Sequence, residues 1–255
     1  MSAKKRRAQI AELLQERPVS VEELAGRFAV SLSTIRRDLE TMAGTGRIIR
    51  TYGGARTAAT GERSLQERES IATAQKSAIG ALALSFVRPG SVNILDAGTT
   101  TGALASRLVD YEGITVITNG LTTTRLLEHS DGVELVVLGG TLRHVSSGLV
   151  GPLAEQAMSA ITADAAFLGA DGVVAGRGLS EGTPEQAALK RKMVENAREI
   201  FVLADYTKLG LESSHWWTPL ERPWTLVTDD EATESQLEPF RRLGNVEIQI
   251  APARP

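Results

Sequence analysis

The first part of the chain carries three stretches in which apolar residues recur every three or four positions, the spacing of one helical face. They are marked by Ile10, Leu13 and Leu14, then by Val21, Leu24, Ala25 and Phe28, and then by Ile35, Leu39 and Met42. Ser20 and Ser31 precede the second and third stretches, where a hydroxyl can cap a helix N-terminus. The pattern predicts three helices, with a short turn between the second and the third, followed by a β-prone run around Arg50.

From Ala72 onward the pattern changes to short apolar runs that alternate with helical stretches. Strands are predicted at Val92–Leu95, Ile114–Thr118, Val133–Leu138, Ala165–Gly169, Glu199–Ala204, Thr225–Thr228 and Val246–Ile250. Strands separated by helices form βαβ units, so we expect a mainly parallel sheet with helices on both faces. The predicted fold class is α/β, with an N-terminal winged helix-turn-helix domain before a C-terminal mainly parallel domain.

The two parts also differ in charge and are joined by a polar stretch. Residues 1–56 hold 11 Lys and Arg against 6 Asp and Glu, a balance of +5, and the remainder holds 17 against 25, a balance of −8. A basic N-terminal part followed by an acidic remainder is typical of a DNA-binding domain joined to a domain that does not touch DNA. We predict a DNA-binding domain at 1–57, a linker at 58–72 and a second domain at 73–255.

The third predicted helix carries hydroxyl and guanidinium groups opposite its apolar face. Arginine can bond bidentately to guanine, and hydroxyls can reach phosphates or base edges. The basic run after this helix indicates a wing that touches phosphate or the minor groove. The predicted DNA-contacting residues are Ser20, Ser31, Ser33, Thr34, Arg36, Arg37, Arg47, Arg50 and Tyr52. A solvated helix that merely carries two arginines is the alternative for Arg36 and Arg37 taken alone.

The segment from Arg6 to Ala55 resembles the winged helix-turn-helix of the DeoR/GlpR family of bacterial transcription regulators. The resemblance is carried by V-S-V-E-E-L-A, V-S-L-S-T-I-R-R-D-L-E and R-T-Y-G-G-A. It implies double-stranded operator DNA as a partner and assigns DNA recognition to the third helix. Since one short helix reads few base pairs, we expect a homodimer or homotetramer that binds repeated half-sites.

In the second domain, small and polar residues follow the predicted strands: D-A-G-T-T, T-N-G, G-G-T, G-A-D-G and A-D-Y-T-K. Ligands of parallel sheets bind at the carboxyl ends of the strands. Glycines let a backbone approach a ligand closely, and N–H groups and threonine hydroxyls can hold a phosphate. Each motif alone is common in turns, but five of them at one sheet edge favour a site for a polyol phosphate or a similar anion.

This domain also resembles the DeoR-family sensor domain, which is related in fold to ribose-5-phosphate isomerase. The matching phrases are I-L-D-A-G-T-T-T, V-I-T-N-G-L, L-V-V-L-G-G-T-L-R, A-F-L-G-A-D-G and V-L-A-D-Y-T-K-L-G. The resemblance implies a sugar-phosphate effector, bound without a cofactor, and a repressor of sugar metabolism genes. The implied ligand residues are Asp96, Gly98, Thr99, Thr100, Asn119, Gly139, Gly140, Arg143, Asp171 and Lys208.

The main alternative is a phosphosugar isomerase with a DNA-binding appendage, which would need a carboxylate base. In such isomerases a second acidic residue follows the aspartate of the G-A-D-G phrase, but Gly172 stands there in this chain. We therefore expect no catalysis. A second domain that only supports dimerisation would leave the motifs at the strand ends unexplained. The run Lys190-Arg191-Lys192 is expected to be a solvated basic face.

The composition excludes several other classes of protein and site. The chain has no cysteine, so it contains no disulfide, no thiolate metal site and no cysteine nucleophile. Its 3 histidines lack metal-ligand spacing, so no metal site is expected. No apolar run reaches the roughly 18 residues of a membrane span. We expect a cytoplasmic protein that does not bind membranes.

Overall fold

The computed structural model of the protein describes residues 3–16, 19–43, 48–51, 54–57 and 63–252. The chain divides into two compact units, Met1–Arg63 and Ser64–Pro255. The second unit therefore begins inside the stretch 58–72 that the sequence predicts as a linker. The predicted domain bounds stay a prediction.

The first unit is a three-helix bundle with a small antiparallel sheet. Its elements are α1 (Ala3–Glu16), β1 (Val19–Ser20), α2 (Val21–Phe28), α3 (Leu32–Ala43), β2 (Ile48–Thr51) and β3 (Gly54–Thr57). The sheet has the order β1-β3-β2, and β2 pairs with β3 so that Thr51 faces Gly54. The three predicted helices and the β wing after them are confirmed.

The two serines begin their helices as the sequence predicts. Ser20 Oγ accepts a hydrogen bond from Glu23 N at 3.1 Å, and Ser31 Oγ accepts one from Thr34 N at 3.2 Å. Between α2 and α3 the chain reverses at Ala29, which adopts a left-handed conformation with φ of 50°. That conformation lets the next residue, Val30, donate its N–H to Ala25 O and end α2.

The core of this unit consists of residues from the three apolar stripes together with Val19 of β1. Its buried members are Ile10, Val19, Val21, Leu24, Ile35, Leu39 and Met42. An ion pair that the pattern did not predict adds to it: Arg6 Nε of α1 lies 2.6 Å from Asp38 Oδ2 of α3, and both side chains are about nine-tenths buried. This pair joins α3 to α1.

The second unit contains helices and strands in alternation, as the sequence predicts. The helices are α4 (Leu65–Ser70), α5 (Thr73–Leu84), α6 (Thr99–Ala105), α7 (Leu121–Leu127), α8 (Pro152–Ser159), α9 (Pro184–Asn196) and α10 (Glu234–Arg241), with a short 3-10 helix at Tyr206–Lys208. The strands are β4 (Val92–Leu95), β5 (Ile114–Thr118), β6 (Val133–Val137), β7 (Thr141–Arg143), β8 (Gly148–Val150), β9 (Ala163–Leu168), β10 (Gly172–Val174), β11 (Gly178–Glu181), β12 (Ala197–Leu203), β13 (Trp216–Thr218), β14 (Trp224–Asp229) and β15 (Val246–Ala251).

A seven-stranded parallel sheet in the order β15-β14-β12-β9-β4-β5-β6 forms the centre of this unit. One face is covered by α5, α6 and α7, whose residues Ile79, Leu104 and Leu127 are buried there. The other face is covered by α8, α9 and α10, which contribute residues such as Met158 and Met193. The predicted α/β class, with helices on both faces, is confirmed.

The smaller strands were not predicted from the sequence. β7 and β8 form an antiparallel hairpin, and β10, β11 and β13 form an antiparallel sheet. These strands are three or four residues long, too short for a repeating pattern to be visible. They lie in the segments that follow β6, β9 and β12, so they add side chains near the carboxyl ends of the large sheet.

Candidate functional site

The direction in which successive strands are added to the large sheet reverses between the neighbouring strands β4 and β9. From β4 the chain proceeds to β5 and β6 on one side, and β9, β12, β14 and β15 are added on the other. Open α/β sheets leave a crevice at such a switch point, outside the carboxyl ends of the strands. A cavity that is partly open to solvent lies there, and its empty volume of about 610 Å³ includes the solvent space at its mouth. It is lined by Arg68, Asp96, Ala97, Gly98, Thr99, Thr100, Asn119, Ser146, Gly148, Val150, Gly169, Ala170, Asp171, Glu181, Gln186, Leu189, Lys190 and Lys208.

The structure thus brings together most of the residues that the sequence predicts as ligand contacts. The cavity lining includes Asp96, Gly98, Thr99, Thr100, Asn119, Asp171 and Lys208. Gly139, Gly140 and Arg143 are absent from that lining. Gly140 instead has a packing role, because a Cβ atom there would lie 2.6 Å from Val150 O.

The turn after β4 is held in place by Asn119, which follows β5. Asn119 Oδ1 accepts a hydrogen bond from Ala97 N at 2.9 Å, and its Nδ2 donates to Leu149 O at 3.1 Å. Asp96 Oδ1 also accepts from Ala97 N, at 2.8 Å. Asn119 therefore positions the turn that carries Asp96, and its amide already engages the protein on both sides.

Lys190 is the largest departure from the sequence prediction. It was expected on a solvated face, but it is 4% exposed and points into the floor of the cavity. Its Nζ donates to Gly169 O and to Glu181 Oε1, both at 2.5 Å, and lies 3.0 Å from Asp96 Oδ2. The prediction was wrong because Lys190 lies three residues after Ala187 and three before Met193, on the buried stripe of α9.

The charges of this cluster depend on one another. Burial, together with the charges of Asp171 and Asp96, raises the pKa of Glu181 to about 8 against the opposing effect of the Lys190 ammonium. Burial acts to lower the pKa of Lys190, but Asp96 and Glu181 outweigh it, so this pKa is raised. Lys190 therefore remains an ammonium at neutral pH, whereas the carboxyl group of Glu181 titrates near pH 8.

A second ion pair lies at the rim of the same cavity. Arg68 Nη1 of α4 lies 3.0 Å from Asp171 Oδ1, and Arg68 Nη2 donates to Val145 O at 3.4 Å. Lys208, on the short 3-10 helix, donates from Nζ to Ala170 O at 3.2 Å. Arg68 and Lys208 thus place two cations close to Asp171. In the sequence, Arg68 and Lys76 match the R…K spacing of the DeoR family, but that spacing did not assign Arg68 to the ligand site.

The structure also changes the argument about a missing acid at Gly172. β10 and β11 pair Gly172 with Ser180, so the next residue, Glu181, lies beside Asp171. A second carboxylate is therefore present, supplied by the neighbouring strand. Gly172 itself has no room for a side chain, because a Cβ atom there would lie 1.9 Å from Leu211 O. The absence of an acid at this position is not an argument against catalysis.

In the first unit, the start of α3 exposes the groups that the sequence assigns to DNA. Ser31 Oγ is hydrogen-bonded at 2.8 Å to both Ser33 Oγ and Thr34 Oγ1. Arg36 and Arg37 are exposed, while Ile35 between Thr34 and Arg36 is fully buried. Arg47 and Tyr52 lie outside the described residues. Arg50 belongs to β2, but its side chain is also outside the description.

Two classes of site find no support in the described ranges. Among those residues, no group of three or more His, Asp and Glu side chains is arranged to hold a metal ion. Within the same ranges, no helix has the length and apolar character needed to cross a bilayer.

A helix-turn-helix unit joined to an α/β unit with a charged cavity at the carboxyl ends of its strands is the architecture of a ligand-responsive transcription regulator. The family model described as "DeoR-like helix-turn-helix domain" matches residues 6–60, and the one described as "DeoR C terminal sensor domain" matches residues 71–230. The chain belongs to the DeoR family of transcription regulators.

The relatives agree with this assignment. A protein of Escherichia coli O157:H7, named as a candidate repressor of the aga operon, is 34% identical over 94% of this chain and 91% of its own length. The transcriptional repressor GlcR of Bacillus subtilis is 33% identical over 85% of this chain and 84% of its own length. Both names describe regulators, so the family assigns regulation rather than catalysis to this chain. Ribose 5-phosphate isomerase A of Methanocaldococcus jannaschii overlaps 52% of each chain at 22% identity, with a TM-score of 0.39.

Proposed function

We propose that this protein represses genes of sugar metabolism and leaves its operator when a phosphorylated sugar binds in the cavity at the β4–β9 switch point. One observation carries the proposal: carboxylates and cations converge on a single cavity in a chain whose other unit is a helix-turn-helix. The proposed site of action is the cytoplasm, where the operator DNA lies.

The cavity has the chemistry that a sugar phosphate requires. Asp96 and Asp171 offer carboxylate oxygens that accept hydrogen bonds from sugar hydroxyls. Arg68 and Lys208 offer guanidinium and ammonium groups, which form strong charge-assisted bonds to phosphate oxygens. Thr99 and Thr100 begin α6, where the first N–H groups of a helix have no partner within the helix.

The names of the relatives favour repression. One is named for the aga operon and two others are named as the transcriptional repressors GlcR and AccR. Their names identify no effector for this chain. The phosphorylated sugar is proposed from the charges that line its cavity.

The first unit would bind DNA through the exposed start of α3. Arg36 and Arg37 extend from one turn of that helix, and the hydroxyls of Ser31, Ser33 and Thr34 lie just before them. One such helix covers few base pairs, so two or more copies, in a homodimer or homotetramer, would read repeated half-sites. We propose that effector binding changes the distance between the helix-turn-helix units of the copies and so weakens operator binding.

The test measures operator binding with and without candidate effectors. Fluorescence anisotropy would follow binding of the full chain to the DNA upstream of its own coding region, with a scrambled duplex as the control. A panel of sugar phosphates would be added, with each unphosphorylated sugar as its matched control. We expect nanomolar binding that one phosphate reverses and its parent sugar does not. Tight binding that ignores the whole panel would contradict the proposed effector, and the lack of specific binding would contradict the proposed operator.

A further inference from the structure

The charges that line the cavity balance when every group is ionised. Arg68, Lys190 and Lys208 supply three cations, and Asp96, Asp171 and Glu181 supply three carboxylates. A balanced set offers little net attraction to a ligand that carries negative charge, because each cation is already compensated. Loss of a single negative charge from the set would leave the cavity positive.

Glu181 is the carboxyl group whose charge is the most costly to keep. It is 2% exposed, and the groups that face it are Lys190 from α9, Asp96 from the turn after β4 and Asp171 from the turn before β10. Burial and the two like-charged neighbours raise its pKa to about 8, while Lys190 opposes the shift. Glu181 and Asp96 share the single cation Lys190, but Asp96 also accepts a hydrogen bond from Ala97 N, and Asp171 pairs with Arg68.

The contacts of Glu181 allow it to gain a proton without disturbing the cluster. The carbonyl oxygen of a neutral carboxyl group still accepts the hydrogen bond from Lys190 Nζ. Lys190 also keeps Gly169 O and Asp96 as partners, so its ammonium stays compensated. Protonation of Glu181 therefore changes the charge of the cavity while its geometry is preserved.

We propose that an anionic effector binds with Glu181 in its protonated form, so that Glu181 takes up a proton wherever it is ionised in the free protein, and that this neutral carboxyl group makes the cavity selective for anionic over neutral ligands. The inference rests on the proposed function, since it concerns the same cavity. Its physical reason is linkage: a negative ligand disfavours a nearby carboxylate, so binding favours the protonated form, and the protonated form binds the ligand more tightly.

The first test uses inorganic sulfate as the probe, because sulfate carries the same charge across the range in which Glu181 titrates. Calorimetric titration of the full chain near pH 8.5 would be repeated in buffers of different ionisation enthalpy. If the ligand raises the pKa of Glu181 by about one unit, about half a proton is taken up for each sulfate bound. The same shift predicts that sulfate affinity falls severalfold, and at most about tenfold, from about pH 7 to about pH 9.

The second test asks whether Glu181 is the group that titrates. In Glu181→Gln the side chain keeps nearly the same shape and is neutral at every pH, so sulfate affinity should change less than about twofold over this range. Glu185→Gln is the matched control, because Glu185 is an exposed acid four residues further along the chain. This control should retain the pH dependence of the unmodified protein.

The outcomes separate this inference from the proposed function. Absence of proton uptake, absence of sulfate binding, or an unchanged pH profile in Glu181→Gln would overturn the inference. The calorimetry needs no variant, so it decides even if Glu181→Gln fails to fold. If a sugar phosphate releases the operator without proton uptake, the proposed function stands and the inference falls. If sulfate binds with proton uptake while no sugar phosphate releases the operator, the inference stands and the proposed function falls.

Discussion

The two units of this protein use charged side chains in opposite ways. In the first unit the arginines proposed to bind DNA, Arg36 and Arg37, are exposed, and the buried pair Arg6–Asp38 only joins two helices. In the second unit Lys190 and Glu181 are buried in the proposed binding site itself. DNA is a large anion that remains hydrated, so exposed and mobile cations suffice to bind it. A small ligand has few contacts, so its site needs charges that are already oriented and shielded from water.

The units also differ in how their functional residues are spaced along the chain. The groups proposed to meet DNA in α3 lie within Ser31–Arg37. The cavity collects residues from Arg68 to Lys208. A surface on one helix therefore depends on local structure, whereas the cavity depends on the whole sheet. The four predictions that follow test this contrast, from the largest expected effect to the smallest.

The largest effect is expected where the first unit does bury a charge. Asp38→Ala removes the partner of Arg6 and leaves a buried guanidinium uncompensated, which costs about 3–5 kcal/mol. Hydrogen exchange of α1 and α3 amides in the full chain would measure the loss. Glu40→Ala, an exposed acid on the same helix, should change exchange little. Equal effects in the two variants would show that burial of Asp38 is not what matters.

The next effect concerns the response to the effector. Lys208→Ala removes a cation from the cavity rim, and a hydrogen bond to a charged group is worth about 1.5–3 kcal/mol. We expect effector affinity to fall by about tenfold or more, so that operator release is lost while operator binding without effector is preserved. Anisotropy titrations would measure both. A full response in Lys208→Ala would place the phosphate elsewhere, and Lys192→Ala, on the surface of α9, is the control.

A somewhat smaller effect is expected at the DNA surface. Arg37→Ala should weaken operator binding by about 1–3 kcal/mol if Arg37 contacts a base. Arg88→Ala removes an exposed arginine from the second unit and should leave the affinity unchanged. Both variants would be titrated against operator DNA at a single salt concentration, since affinity for DNA depends strongly on salt. Unchanged affinity in Arg37→Ala would assign this side chain to the solvated side of α3.

The smallest effect concerns the turn of the helix-turn-helix. Ala29 has a φ of 50°, a conformation that is costly for alanine and easy for glycine. Ala29→Gly should therefore stabilise the first unit, by about 0.5 kcal/mol after the greater entropy of glycine in the unfolded chain is counted. Ala11→Gly, within α1, should instead destabilise the unit by about 1 kcal/mol. Thermal unfolding of the full chain would measure both signs, and destabilisation by Ala29→Gly would refute the strain at this turn.

Local sequence determined the three helices of the first unit and the strands of the large sheet in the second. Ser20 and Ser31 begin helices where the sequence places them, because a hydroxyl satisfies a backbone N–H within three residues of itself. Strand β5 spans Ile114–Thr118 as predicted, and the other predicted strands differ from the observed ones by at most two residues at either end. Buried parallel strands are continuous apolar runs, so their positions are visible without any knowledge of their neighbours.

Only the tertiary structure determined the charge of the cavity. Sequence motifs identified Asp96, Asp171 and Lys208, because these residues lie in the short segments that follow buried strands. They did not identify Glu181, which reaches the cavity through the antiparallel register of two short strands, nor Lys190, which reaches it from a helix. A charged residue looks solvated in a sequence unless its partners are known, and the partners of Lys190 lie 9, 21 and 94 residues away along the chain. Burial of a charge is a property of that assembled set, so no local pattern could have shown it.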